Sequence, residues 1–161
     1  MKSFADDSRG ALAITPLDAK SLKQWLKAAS ARDRAWIKTL GFNAEAGKVA
    51  FVPGAGARPA RVLVGADLDR EPIWALAGLP GALPEGRYRL DARLDAGRAT
   101  QIALGWALGA YAFTRYKKSN RNFATLAWPD KADRREVERL AQGVFLARDL
   151  INTPAEDLGP P

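Results

Sequence analysis

The sequence contains neither cysteine nor histidine. Without cysteine, disulfides, thiolate zinc sites and cysteine nucleophiles are excluded. Without histidine, the commonest general base near neutral pH is gone, and with it the usual serine and cysteine hydrolase constellations. Any catalysis within these residues would rest on Asp, Glu, Lys, Tyr or Ser alone. Long apolar runs are also missing: nothing approaches the roughly eighteen residues that a membrane span needs. Met1-Lys2-Ser3-Phe4-Ala5-Asp6-Asp7 puts two acids where a secretory signal would carry its apolar segment. A soluble, cytoplasmic protein with no membrane partner is the expectation.

The chain has 161 residues, 47% of them apolar and 27% charged, ordinary values for a globular protein. At this size one domain buries roughly 70% of its unfolded surface, enough for a real core. The 25 Lys and Arg outnumber the 18 Asp and Glu, for a formal charge of +7. Such an excess raises the question of a nucleic-acid partner, because phosphate neutralisation dominates that binding. The cations are scattered, however, and only Arg115-Tyr116-Lys117-Lys118-Ser119-Asn120-Arg121 is dense. Arg115, Lys117, Lys118 and Arg121 are therefore the candidate nucleic-acid contacts, although the patterning favours a solvated loop and weak binding.

Strand and helix periods alternate along the sequence. Gly10 to Ile14 reads as a strand. Thr15 and Pro16 then read as a helix start, with Leu22, Trp25, Leu26 and Ala29 at helical spacing. A short helix is predicted over 32–40, with Trp36, Ile37 and Leu40 inward and Gly41 as its stop. Lys48 to Val52 and Arg61 to Gly65 read as an antiparallel pair across a Pro- and Gly-rich connector. Pro72 to Ala77 is a one- or two-turn helix, and Leu79 to Gly86 is too rich in Pro and Gly to be regular. Tyr88 to Leu90 is a strand. The stripe Ala99, Ile102, Ala103, Trp106, Ala110 and Phe113 predicts a helix over 96–117, with Gly105 and Gly109 allowing close approach to a sheet. Phe123 to Trp128 is the last strand. Asp133 with Glu136 starts a helix in which Val137, Leu140, Ala141, Val144 and Ala147 lead to Ile151, and Pro154 forbids continuation. The fold class that follows is α/β: a three-layer α/β/α sandwich with a mixed sheet of about five strands.

Candidate chemistry is sparse. Asp67-Leu68-Asp69-Arg70-Glu71 lacks the turn glycine and distant acid of a calcium loop and reads as a solvated turn. Gly54-Ala55-Gly56-Ala57-Arg58 is followed by Pro59 and a strand, not a helix, so a hairpin turn accounts for it better than a phosphate loop. Trp25, Trp36 and Trp106 fall on apolar stripes, which leaves Trp74 and Trp128 as candidate surface aromatics. No serine sits in a nucleophile elbow, and no carboxylate pair stands at a helix spacing beside a cleft.

Three stretches carry a family resemblance: Leu83-Pro84-Glu85-Gly86-Arg87-Tyr88-Arg89-Leu90, Gly105 to Tyr116, and Ala147 to Pro160. In order and spacing they resemble the N-terminal domain of bacterial leucyl (cytosol) aminopeptidases, dizinc exopeptidases, from about Trp25 onward. Glu156 departs from the asparagine more usual in that family. The resemblance implies an N-terminal domain related to macro domains, a C-terminal catalytic domain and a homohexamer. It implies two divalent ions, zinc or manganese, held in the parent enzyme by lysine, aspartate and glutamate side chains, with peptides as substrate.

None of those residues maps onto this sequence. No catalytic or metal-binding residue and no cofactor is therefore expected here, and residues 1–151 are expected to form an accessory domain ending in a linker helix. Residues 152–161, led by Asn152, Thr153 and Pro154, would begin the connection to the catalytic domain, as a segment without fixed structure. The implied role is hexamer assembly or control of access to the active sites. The alternative is a nucleic-acid-binding module using the 115–121 loop.

Overall fold

The computed structural model describes residues 1–56, 58–116 and 122–158. Among them lie strands β1 (Phe4–Ala5), β2 (Leu12–Leu17), β3 (Val49–Pro53), β4 (Pro59–Gly65), β5 (Arg87–Leu90) and β6 (Thr125–Ala127). The helices are α1 (Ala19–Ala28), α2 (Ala31–Thr39), α3 (Pro72–Ala75), α4 (Leu79–Ala82), α5 (Ala96–Gly109) and α6 (Arg134–Asn152). The strands form one sheet in the order β1-β6-β5-β2-β4-β3. Every neighbouring pair is parallel except β3 with β4, which is the predicted hairpin.

The sheet has six strands, not about five. The additional one, β1, pairs Phe4 with Leu126 and Ala5 with Ala127. Two residues are too few to show a period in the sequence.

Alternation along the strands assigns the two faces. Ile14, Val62, Val64, Tyr88 and Leu126 pack with Leu76, Leu79, Leu83, Ile102 and Trp106, so α3, α4 and α5 cover one side. Leu17, Val52 and Leu63 pack with Leu22 and Ile37, so α1 and α2 cover the other, over β2, β4 and β3. α6 lies on α5, burying Val137 and Ala141 against Ala103, Ala107 and Leu108, with Phe4 and Trp128 alongside.

Several local expectations need correction. Thr15 and Pro16 continue β2, because their parallel pairing with Leu63 and Val64 extends the strand. The cap of α1 is Asp18 instead. Its carboxylate accepts from the Ser21 amide at 2.7 Å, and Ser21 Oγ accepts from the Asp18 amide at 2.8 Å. In α2 only Ile37 is buried, while Trp36 and Leu40 are 42% and 49% exposed. Trp36 reaches over the edge strand and donates Nε1 to the Phe51 carbonyl at 2.9 Å. The Leu79–Ala82 segment, expected to be irregular, makes a helical turn with Leu79 and Pro80 buried. α5 stops at Gly109 although Ala110 and Phe113 keep the helical period. Ala147, expected on the inward stripe of α6, is exposed. Gly105 and Gly109 do permit a close approach, but to the Ile73 and Ala77 carbonyls around α3 and not to the sheet.

Two helix caps couple the fold to acid. Hydrogen bonds from the Ser21 side chain and amide hold the Asp18 carboxyl below its ordinary value of 3.8. The Arg98 amide does the same for Asp95. Each pKa is lower folded than unfolded, so each contribution is present above the unfolded value and is lost as pH falls through the folded one. Thermal melts between pH 5 and pH 2 are expected to show a falling midpoint below about pH 4. The Asp18→Asn/Asp95→Asn variant should flatten that fall; a decline as steep as in the parent would assign it to other groups.

Candidate functional site at the exposed end of α6

The two halves of α6 have different surroundings. Val137 and Ala141 are fully buried, but Leu146 is 61%, Leu150 50% and Ile151 82% exposed. Leu158 and Tyr116 add exposed apolar area. The neighbouring Phe145 packs inward, with its ring centre 5.3 Å from that of Tyr111. Exposed apolar side chains clustered in sequence at a helix end mark candidate contact sites when they form one patch.

Polar contacts fix the base of this surface. Arg148 donates to the Leu108 carbonyl at 2.9 Å, satisfying an acceptor in the last turn of α5, and its guanidinium lies 5.2 Å from the Tyr111 ring centre. The Tyr111 hydroxyl donates to Asp149 at 2.6 Å. Desolvation and that carboxylate raise the hydroxyl above its ordinary 10.0, so it remains a donor near neutral pH. A cleft of about 470 Å³ between the 110–115 segment and α6 is lined by Tyr111, Phe113, Phe145, Asp149 and Thr153.

The three predicted linker residues sit on this frame. Asn152 ends α6 and donates to the Tyr111 hydroxyl at 3.3 Å. Thr153 is buried and donates Oγ1 to the Asp149 carbonyl at 2.6 Å. Pro154 precedes a 3-10 turn at Ala155–Asp157, whose Asp157 accepts from Tyr116. The segment expected to lack fixed structure is therefore held through Leu158. Nothing in the sequence signalled this, because the tyrosine partners lie about forty residues away, as the separations of 38 and 41 residues attest.

Of the candidate nucleic-acid contacts, Arg115 is exposed, 5.7 Å from the Tyr116 ring centre. Lys117, Lys118 and Arg121 lie outside the described residues. Asp67 accepts from the amides of Asp69 and Arg70, and Asp69 pairs with Arg98 of α5, so two of the three acids of the turn are held within the fold. Trp74 is 57% exposed, whereas Trp128 stacks on Phe4 with ring centres 3.9 Å apart. The described residues do not fit a metal centre: no group of three or more acidic side chains converges among them. Nor is any described helix long and apolar enough to cross a membrane.

A mixed sheet between helix layers defines the class: an α/β domain, here with exposed apolar side chains at the end of α6. The family model described as M17 aminopeptidase, N-terminal domain, matches residues 12–129, and the chain belongs to that family.

Relatives agree. A probable cytosol aminopeptidase of Streptomyces avermitilis is 31% identical over 156 residues, covering 77% of this chain and 30% of that protein. The crystal structure of the cytosol aminopeptidase from Coxiella burnetii superposes with a TM-score of 0.83 at 35% identity, covering 93% of this chain and 33% of that one. The bottromycin maturation enzyme BotP, solved in complex with Mn, matches with a TM-score of 0.62 at 26% identity over 98% of this chain and 34% of its own. The chain thus spans about a third of the length of these three relatives.

Proposed function

We propose that this chain acts as the non-catalytic N-terminal domain of a cytoplasmic, metal-dependent leucyl aminopeptidase. In that reading the parent enzyme removes N-terminal residues from peptides with two divalent ions, zinc or manganese, held in a separate catalytic domain. The observation that carries it is the superposition of 93% of this chain on only a third of the Coxiella enzyme. The solution of BotP in complex with Mn supports the metal class. Residues 1–151 then form the accessory domain, and Asn152, Thr153 and Pro154 begin the connection to the catalytic one.

The exposed Leu146, Leu150 and Ile151 suit contact with that catalytic domain, since covering one such side chain fully is worth about 1.5–3 kcal/mol. By that contact the domain would support hexamer assembly or shape the entrance to the active sites. The test uses the purified chain with leucine p-nitroanilide and manganese. Alone it is expected to give no turnover. Mixed with a separately expressed catalytic domain of a cytosol aminopeptidase, it should co-elute in gel filtration, and Leu146→Ser/Leu150→Ser/Ile151→Ser should abolish co-elution. Chelator-sensitive turnover by the chain alone would refute the reading, and so would co-elution indifferent to the triple substitution.

A further inference from the structure

β1, β6 and β5 are adjacent and parallel, so their carboxyl ends open on one edge of the sheet. That edge is where open α/β sheets hold ligands, because loops there diverge and leave a crevice. A cleft of about 670 Å³ occupies it, within the range of small-molecule sites.

Its charge is unbalanced. Arg9 pairs with Asp7 and Arg134 with Asp6, each at 3.0 Å. Arg89, Arg93 and Lys131 also line the cleft, and none has a carboxylate within ion-pairing distance among the described residues. Against these three cations stands one further acid, Asp130.

The backbone adds an independent observation. Lys131 has φ of 66°, a left-handed conformation that disfavours side chains other than glycine. Strain of this kind persists where the surroundings impose it, and it clusters at ligand clamps. Here it falls at a lysine that lines the cleft, in a position that glycine would fill at lower cost.

We propose that this cleft binds a compact phosphate-type polyanion through Arg89, Arg93 and Lys131. Guanidinium forks and an ammonium offer more N–H donors than the two oxygens of one carboxylate accept, whereas a phosphate presents acceptors in several directions. The inference is independent of the aminopeptidase reading, since it needs neither a catalytic domain nor turnover.

Calorimetric titration of the 161-residue chain at low ionic strength tests it, with inorganic pyrophosphate and adenosine diphosphate as probes. Saturable one-to-one binding of pyrophosphate is expected. Equal affinity for the two probes would mean that phosphate alone is read, and tighter binding of the nucleotide that the phosphate is carried on a nucleoside. Arg93→Gln and Lys131→Gln should each weaken pyrophosphate binding about tenfold, as loss of one charge-assisted hydrogen bond does. Lys23→Gln, on the exposed face of α1, should leave it unchanged.

Lys131→Gly should weaken binding equally without lowering the melting temperature, because it removes the ammonium and relieves the backbone together. The proposal is overturned by the absence of saturable binding, by losses no larger in the cleft variants than in Lys23→Gln, or by duplex DNA outcompeting both probes at the same salt. A Lys131→Gly protein that melts lower yet binds normally would overturn it as well.

Discussion

Gly105→Ala is expected to destabilise the protein by about 3 kcal/mol, and Gly105→Ala/Gly109→Ala to leave no cooperatively folded chain. A Cβ on Gly105 would lie 1.7 Å from the Ile73 carbonyl oxygen and 2.8 Å from its carbon. On Gly109 it would lie 1.8 Å from the Ala77 oxygen. Both obstacles are backbone atoms, so no rotamer change removes them, and α5 must move off the α3 segment. That movement opens the main core, where Leu76, Ile102 and Trp106 are all essentially inaccessible. Overpacking ordinarily costs about 1–3 kcal/mol, with backbone clashes at the upper end. Two such costs, about 6 kcal/mol, exceed the stability at the low end of the range for an ordinary domain, about 5–15 kcal/mol.

Gly143→Ala in α6 is the internal control. Nothing lies within 4 Å of its added Cβ. It should stabilise by about 0.5–1 kcal/mol, because alanine loses less conformational freedom than glycine in a helix. Urea midpoints of the three variants measure both signs. Similar midpoints for Gly105→Ala and Gly143→Ala would show that the α3–α5 contact is not tight.

This contrast also shows how far the sequence could be read. The spacing of Gly105 and Gly109 announced a close approach, and the stripe through Ala99, Ile102, Ala103 and Trp106 gave the buried face. What the pair approaches was not legible, because α3 and α5 meet through tertiary packing that no local pattern encodes. Helical period alone carried the α5 prediction past Gly109, although Tyr111 is instead tied to Asp149 on α6. The alternating strand β3 and the continuous apolar run of β4 were legible with their pairing, since a short connector limits the choices. β1 was missed because its only evidence is a partner more than a hundred residues away.

The site followed the same rule. Apolar excess near the end of α6 is legible in the sequence, since Leu146 and Leu150 stand off the stripe of Val137, Leu140, Ala141 and Val144. The basic cleft was not, because Arg9, Arg89, Arg93, Lys131 and Arg134 are dispersed in sequence and meet only where strands end side by side. The one dense cationic run drew attention instead.

Val137→Asp is expected to cost about 4 kcal/mol or more, whereas Leu150→Asp on the same helix should change stability by less than about 0.5 kcal/mol. Val137 is 0% exposed in a cluster with Ala103, Ala107, Leu108 and Ala141, so a carboxylate there would lose its water among apolar side chains. Leu150 is half exposed and can turn a carboxylate to water. A helix serving only as a tether would tolerate both changes, and one wholly committed to the core would tolerate neither. The family match ends at residue 129, before α6 begins at Arg134. The packing nonetheless makes the first half of α6 part of this fold, since without it Ala103, Ala107 and Leu108 would face water. Thermal melts of the two variants separate the alternatives. A Val137→Asp protein that melts like its parent would mean that α6 contributes nothing to the domain, and an unfolded Leu150→Asp protein would mean that its exposed end is not free to serve another surface.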